Sequence, residues 1–258
     1  MMHITILTLF PDMLGGFLNE SIVKRAQAKK AVRIDVINIR DFAIDAYGTV
    51  DDHVYGGGTG MLMRVDVLSK AISSLTQKKY PLKNSHIVLT SARGKKYTQE
   101  HAQRYAQYEH LIIIAGHYEG VDERILEQID EEISIGDFIL TGGELPAAVL
   151  VDSVVRLLPG VLEKESATTD ETFQEVLVDD IKRAGIKDAH VEELERKGIK
   201  KVRLLEYPQY TRPQEFEKQA VPAILLSGDH KKIGEWRLKQ AWIITKKRRP
   251  DLLMNENT

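Results

Sequence analysis

The 258-residue sequence contains no cysteine. This absence excludes disulfides, thiolate zinc sites and cysteine nucleophiles, and it fits a reducing cytoplasm, which is the compartment we expect. The sequence also lacks an excess of positive charge, because its formal net charge is -2. Any binding of nucleic acid must therefore come from local basic patches.

Long apolar runs are absent as well. The N-terminal run, residues 4–10, is too short to span a bilayer and follows no basic region, so we expect no membrane association. No internal repeat or low-complexity tract is evident. With 43% hydrophobic and 29% charged residues, the chain is long enough for one large domain, or for a large domain and a small one.

The first half of the sequence alternates between strand-like and helix-like segments. Ile4–Leu9 reads as a buried strand, Met13–Lys29 as a helix, and Val32–Ile39 as a second strand. Leu111–Ala115 is a continuous apolar run, typical of a sheet that is buried on both faces. This succession predicts an α/β fold with a largely parallel sheet.

Three polar, glycine-containing loops follow consecutive predicted strands. They span Thr90–Gly94, Gly116–Arg124 and Gly136–Glu144. The last loop contains the apolar run Phe138–Leu140, which we read as a short strand, and the pair Gly142-Gly143, which on its own would suit an ordinary turn. Because ligands bind beyond the carboxyl ends of strands in open α/β sheets, the three loops together predict a pocket rich in backbone donors.

A further glycine-rich segment, Tyr55–Gly60, lies upstream. It lacks the Gly-Lys-Ser/Thr ending of a phosphate-binding loop and the spacing of a dinucleotide fingerprint. Such a segment either wraps a ligand or stays a flexible surface loop.

The second half of the sequence is more highly charged. Residues 162–173 read as a polar linker, and residues 175–203 carry dense charge of both signs, consistent with one or two solvated helices. A smaller unit follows, in which the basic, tryptophan-bearing helix Lys232–Ile244 leads to the cluster Lys246–Arg249. This helix suits a phosphate backbone, although a solvated helix end would look the same.

Seven motifs together resemble the TrmD family of bacterial tRNA (guanine-37-N1)-methyltransferases, in the SPOUT superfamily. They are TLFPDM, DDHVYGGGTGM, GHYEGVDER, SIGDFILTGGELPA, RLLPGVL, LLEYPQYTRP and VPAILLSGDHKKIGEWRLKQ. The resemblance implies an α/β fold of SPOUT type, whose parallel sheet carries a deep trefoil knot, and a small, mostly helical C-terminal domain. It divides the chain into a knotted methyltransferase domain (1–163), a linker with a charged insert (164–205) and a tRNA-binding domain (206–258).

The resemblance also implies a methyl donor, S-adenosylmethionine, bound at the knot. The positions matching the donor contacts lie in the three glycine-containing loops: Thr90, Ser91, Gly94, Gly116, Tyr118, Glu119, Gly120, Ile135, Gly136, Asp137, Phe138, Ile139, Leu140, Gly142 and Gly143. The positions matching contacts with tRNA lie in the upstream glycine-rich segment and in the C-terminal unit: Asp52, Tyr55, Gly57, Gly58, Arg212 and Arg237.

The resemblance implies two further functional residues, and the chemistry of guanine N1 explains why each is needed. N1 carries a proton at neutral pH, so methylation there needs a base. The family's base, an aspartate in the linker, falls on Asp170, and the arginine that stabilises negative charge on guanine O6 falls on Arg156. Without the resemblance, Arg156 would read as the partner of Asp152 in a surface ion pair.

The sequence departs from the family at three places. Ala92 stands where a proline is usual, His117 stands where many relatives carry arginine, and the charged insert separates two motifs that are almost adjacent in the family. The His117 variation reads as harmless. The insert reads either as a source of extra tRNA contacts or as a surface extension, which we favour slightly.

The resemblance implies partners as well: a tRNA with guanine at position 37, and a second copy of the chain in a homodimer with the active site between subunits. We expect no metal ligands in the sequence, and family analogy alone leaves Mg²⁺ dependence open. Two alternatives remain. One is a SPOUT enzyme that methylates a ribose hydroxyl or another base, and the other is an RNA-binding protein without catalysis.

Overall fold

Two units of structure divide the chain, Met1–Glu163 and Lys164–Thr258. The computed structural model describes residues 1–76, 84–163 and 171–254. In these three stretches no helix combines the length and the apolar character that crossing a membrane requires.

Unit 1 alternates strands and helices, as the sequence predicts. Its strands are β1 (Met2–Thr8), β2 (Val32–Asn38), β3 (Asp51–His53), β4 (Met61–Met63), β5 (Ser85–Lys96), β6 (His110–Ala115) and β7 (Glu131–Ser134). Its α-helices are α1 (Asp12–Leu18), α2 (Ser21–Ala28), α3 (Val65–Thr76), α4 (Gln99–Tyr105) and α5 (Glu144–Val155). Short 3-10 helices cover Ile39–Phe42 and Glu123–Gln128.

Five of these strands form a parallel sheet in the order β2-β1-β6-β5-β7. The prediction of an α/β fold with a parallel sheet is therefore confirmed. Because the strands run in the same direction, the ends of β5, β6 and β7 meet at one edge of the sheet. The separate pair β3 and β4 is an antiparallel hairpin around the glycine-rich segment.

Both faces of the sheet are covered. Along β6, Leu111 and Ile113 belong to one hydrophobic core, whereas Ile112 and Ile114 belong to another on the opposite face. This period of two follows from the pleat of a strand. Helix α5 supplies much of the first core, and all of β6 is buried.

The structure corrects two local predictions in unit 1. The helix predicted over Met13–Lys29 is broken into α1 and α2, because the Asn19 amide donates to the Gly15 carbonyl (2.8 Å) and Ser21 adopts a φ of 50°. Phe138–Leu140 is not a strand. The Ser134 hydroxyl accepts from the Gly136 N–H (3.2 Å) and turns the chain away from the sheet.

Unit 2 combines short strands with helices. Its strands are β8 (Gln174–Leu177), β9 (Lys201–Leu204), β10 (Glu215–Phe216) and β11 (Gln219–Ala220). Its α-helices are α6 (Val178–Arg183), α7 (Ala189–Arg196) and α8 (His230–Arg248), and 3-10 helices cover Ala223–Leu226 and Pro250–Leu253. Strands β8 and β9 pair antiparallel and enclose α6 and α7 in sequence.

The charged segment 175–203 is neither a linker nor a surface extension, which corrects that expectation. Ile181 and Leu194 are buried and join Trp242 of α8 in one hydrophobic core. Its charges instead neutralise one another on the outside, for example Lys182 with Glu195 (2.5 Å). Apolar residues spaced along α6 and α7 therefore make the segment part of the hydrophobic core of unit 2.

Candidate functional site

A cavity of about 440 Å³ opens at the carboxyl ends of β6 and β7, beside the middle of β5. It is lined by the loops that follow β6 and β7, as the sequence predicts, and by residues 89–93 of β5. The predicted loop Thr90–Gly94 is instead an irregularity within β5, where the pairing with β7 shifts between Thr90 and Lys95. Its volume is in the range of sites that hold a drug-sized ligand or cofactor.

Thr90 connects the strand ends beneath this cavity. Its buried hydroxyl donates to the Ile114 carbonyl (3.2 Å) and accepts from the Gly116 N–H (3.3 Å). The Gly143 N–H donates to the Gly116 carbonyl (2.7 Å). Since the Thr90 hydroxyl is engaged within the protein, this side chain fixes the floor of the cavity.

Most of the predicted donor-binding residues come together here. The cavity is lined by Thr90, Ser91, Gly116, Tyr118, Glu119, Gly120, Ile135, Gly136, Phe138, Ile139, Leu140, Gly142 and Gly143. Within the described chain, Gly94 and Asp137 do not line it. Gly94 instead lies against the backbone of Glu132 and Ile133, where a Cβ would clash, and Asp137 is exposed.

Several lining residues were not named among the predicted donor contacts. Leu62, Arg93, His117, Thr141 and Pro146 also line the cavity. Arg93, His117 and Thr141 lie within the three segments that the sequence predicts to line a pocket, and Pro146 lies in the SIGDFILTGGELPA motif, so a signal for each was present. Leu62 lies on β4, and no local pattern connects it to the three loops.

Hairpin β3–β4 docks along one wall of the cavity. Met63 donates its N–H to the Gly120 carbonyl (2.9 Å), and Glu119 donates its N–H to the Met61 carbonyl (3.1 Å). The predicted substrate residues Asp52, Tyr55, Gly57 and Gly58 lie on this hairpin and its loop, and the side chain of Tyr55 is almost fully exposed. The glycine-rich loop is therefore anchored beside the cavity while its tip is open to solvent.

Ion pairs hold charged residues in and beside the wall of the cavity. Arg93 donates to Glu123 (2.9 Å), and Arg124 donates two hydrogen bonds to Asp122 (2.9 and 2.6 Å). The hydrogen bond from Arg124 lowers the pKa of Asp122 below its ordinary value. Asp122 therefore stays ionised and suits a structural role better than that of a base at neutral pH.

The remaining predicted residues belong to other parts of the chain. Arg156 is half-buried at the C-terminal end of α5, and Asp170 lies outside the described residues. Arg212 and Arg237 are exposed in unit 2, where the Arg237 guanidinium stacks over the Tyr207 ring (4.7 Å to its centroid).

Part of the basic cluster at the end of α8 forms ion pairs within unit 2. Lys246 donates to both carboxylate oxygens of Asp188 (2.8 Å each), and Arg249 pairs with Asp251 (2.6 Å). These two cations are therefore committed to the fold of the unit. Across the described residues, no group of three or more His, Asp or Glu side chains could hold a metal ion.

Comparison with known proteins decides the family. A family model described as tRNA (Guanine-1)-methyltransferase TrmD matches residues 2–255. The chain belongs to the TrmD family. Two relatives, each named tRNA (guanine-N(1)-)-methyltransferase, illustrate the degree of sequence identity within the family. The protein of Carboxydothermus hydrogenoformans is 47% identical over 253 residues, covering 98% of this chain and 87% of that protein. That of Bacillus subtilis is 45% identical over 253 residues, covering 98% of this chain and 92% of that protein.

Proposed function

We propose that this TrmD-family protein transfers the methyl group of S-adenosylmethionine to N1 of guanine 37 of tRNA. Family membership makes it a tRNA (guanine-N1)-methyltransferase, that is, a transferase. The observation that supports this donor and its binding place is the cavity formed by the glycine-bearing loops after β6 and β7 and by the middle of β5. Since tRNA is the substrate, we also propose that the protein works in the cytoplasm.

The residues of the cavity fit the donor. Phe138, Ile139 and Leu140 present apolar surface that is 54%, 82% and 39% exposed, which suits an adenine ring. The glycines of the same loops leave room for close approach of polar groups to the backbone. When bound, S-adenosylmethionine supplies an electrophilic methyl group.

We propose that Asp170 and Arg156 handle the proton and charge of guanine. As the methyl group arrives, Asp170 accepts the N1 proton, and the Arg156 guanidinium stabilises negative charge on O6. Support comes from the RLLPGVL motif, which carries Arg156, and from the match of Asp170 to the family's aspartate in the linker. Asp170→Asn should lower kcat by about 10²- to 10⁴-fold, and Arg156→Ala by about 10²- to 10³-fold. In both variants, donor binding measured by calorimetry should be retained.

A second copy of the chain would complete the site. Helices α1, α2 and α5 surround an apolar groove of about 590 Å³ in unit 1, and on its wall Leu145 and Val149 are 56% and 46% exposed. We propose that this face is the homodimer interface, since an exposed apolar face of this kind marks interaction surfaces. Val149→Asp should give a monomer in light scattering and abolish methyl transfer, whereas a dimer of wild-type stability would contradict this assignment.

We propose that unit 2 binds the tRNA backbone through Arg212 and Arg237. Arg237→Ala should raise KM for tRNA and reduce the salt slope of binding by about one. Arg237→Lys is the matched control, because it keeps the charge and loses the stacked contact with Tyr207. Unchanged KM and salt dependence in Arg237→Ala would count against this surface.

We further propose that unit 1 contains the deep trefoil knot of the SPOUT fold. The support is the path of the chain near residues 91–94. Strand β7 pairs with Thr90 of β5 before this loop and with Lys95 and Lys96 after it. The Tyr97 N–H then donates to the Ser134 carbonyl (2.8 Å).

The decisive experiment measures labelled methyl transfer to two tRNA transcripts. One carries guanine at position 37 after guanine at 36, and the control carries adenine at 37. Label on the first transcript alone, mapped to N1, is the expected result. Label on a ribose or on both transcripts would identify another target atom. Donor binding without transfer would identify a protein that binds RNA without methylating it.

A further inference from the structure

Glu144 is a buried carboxylate at the first turn of α5. The residue is 1% exposed, and its Oε1 accepts a hydrogen bond from the Thr8 hydroxyl (2.7 Å). That hydroxyl in turn accepts from the Phe10 N–H (2.9 Å). Its other oxygen, Oε2, is buried and has no hydrogen-bond partner among the described residues. A buried carboxylate oxygen without a donor is costly, so a donor is expected close by.

A candidate donor is His117, in the loop after β6. Its ring lies between Phe10 (centroids 4.8 Å apart) and Tyr118 (4.9 Å), and its Nδ1 is buried and has no partner in the described chain. The His117 Nδ1 lies 2.6 Å from the point where a Cβ would stand on Gly142, and the Glu144 Oε2 is closer still to that point. The His117 Nδ1 and the Glu144 Oε2 therefore face the same small space, close enough to be joined by one hydrogen bond or by one bridging water.

Glycine at position 142 keeps this space open. A Cβ there would clash with both polar atoms. His117 and Gly142 also form a β-bridge, so the backbone on which the imidazole stands is tied to the same turn. That turn, Gly142-Gly143, lines the cavity to which we assign the methyl donor.

We propose that His117 and Glu144 form a positioning pair that holds the Gly142-Gly143 turn against the methyl donor. The imidazole carries its proton on Nδ1 and donates it to the Glu144 Oε2, directly or through one water. The helix N-terminus favours the negative charge on Glu144, and the ring contacts with Phe10 and Tyr118 fix the imidazole plane. Neither residue touches the reacting atoms. The inference rests on the proposed donor site and adds the residues that shape it.

Two variants of His117 separate its ring from its donor. His117→Phe keeps the packing between Phe10 and Tyr118 but removes Nδ1, and His117→Asn keeps a donor near the position of Nδ1 but removes the ring. We expect His117→Phe to weaken the binding of S-adenosylmethionine about tenfold to a hundredfold. His117→Asn should restore most of this loss. His190→Phe, which changes a half-buried histidine beside a ring in unit 2, is the matched control and should bind the donor like the wild type.

A double-mutant cycle tests the pairing itself. Glu144→Gln keeps an oxygen to accept from Thr8 but removes the charged acceptor for His117. If the pair exists, Glu144→Gln and the double variant with His117→Phe should both lose about as much donor affinity as His117→Phe alone. KM for tRNA should change little. The pairing would be overturned if the loss of donor affinity in the double variant equalled the product of the two single losses. An unchanged donor affinity in His117→Phe would also overturn it.

Nitrogen NMR of the His117 imidazole gives a readout that needs no donor. The expected signature in the free protein is a proton on Nδ1 that changes its chemical shift in Glu144→Gln. A ring protonated only on Nε2, with no response to Glu144→Gln, would refute the inference. If the wild-type protein fails to bind S-adenosylmethionine, the donor proposal falls, and this spectrum alone decides the pair. If Glu144→Gln fails to fold, the contrast between His117→Phe and His117→Asn decides it.

Discussion

Replacing Gly143 by alanine should damage the floor of the cavity. A Cβ on Gly143 would lie 2.6 Å from the Gly116 nitrogen and 2.9 Å from the Ala115 carbonyl carbon, and closer still to the Thr90 hydroxyl. Two of these neighbours are backbone atoms of the β6 end, which cannot rotate away. The φ of Gly143 is -86°, which alanine also adopts, so the effect is steric and not conformational.

The expected loss follows from two contributions. Overpacking of a close-packed site costs about 1–3 kcal/mol. The hydrogen bond from the Gly143 N–H to the Gly116 carbonyl, 2.7 Å long, would lengthen or break, which adds about 1 kcal/mol. Gly143→Ala should therefore lower the free energy of unfolding by about 2–4 kcal/mol and weaken donor binding strongly.

Hydrogen exchange can localise this effect, because peptides from β5 and β6 should lose protection while those from unit 2 should not. Urea unfolding followed by circular dichroism gives its size. The matched control is Gly234→Ala in α8, where a Cβ would meet nothing within 4 Å and a helix interior favours alanine by about 0.5–1 kcal/mol. Gly143→Ala with wild-type stability and donor affinity would refute the reasoning.

Three further perturbations test other parts of the fold. Burial, together with the neighbouring His3, lowers the pKa of His110 from 6.5 to about 4. Between these pH values only the unfolded chain binds this proton, so stability should fall by about 3 kcal/mol as the pH falls from 6.5 to 4, and His110→Gln should reduce this slope in urea titrations. In unit 2, burial alone would raise the pKa of Asp188, but hydrogen bonding led by Lys246 lowers it to about 2. Asp188→Asn should therefore cost about 2 kcal/mol at pH 7, a difference that disappears as the pH falls from 3.8 to 2. Ile181→Ala should cost about 2–5 kcal/mol, visible in tryptophan fluorescence because both tryptophans lie in unit 2; no change would mean that the charged segment is not part of the core.

The charged segment shows where reading the sequence fails. Its many charges dominate its composition, and they favour the reading of a solvated insert. The buried residues Ile181, Leu194 and Val202 are few and far apart, so their shared core appears only when β8 pairs with β9 and both helices pack on α8. The positions of these helices could be predicted from the local sequence. The element against which each apolar helix face packs could not.

The sequence by itself determined the parallel sheet, the segments that line most of the cavity and the family, but not that residues 91–94 lie within β5. Continuous apolar runs such as that of β6, and glycines at strand ends, are local signals that a sequence shows directly. Because parallel strands run in the same direction, their carboxyl ends lie at the same edge of the sheet. Only the tertiary structure decided the use of each side chain. It commits the Thr90 hydroxyl to the backbone, closes Gly94 against Ile133, and places His117 beside Glu144. These contacts join residues that are distant along the chain, and no periodicity or spacing records which atoms will meet.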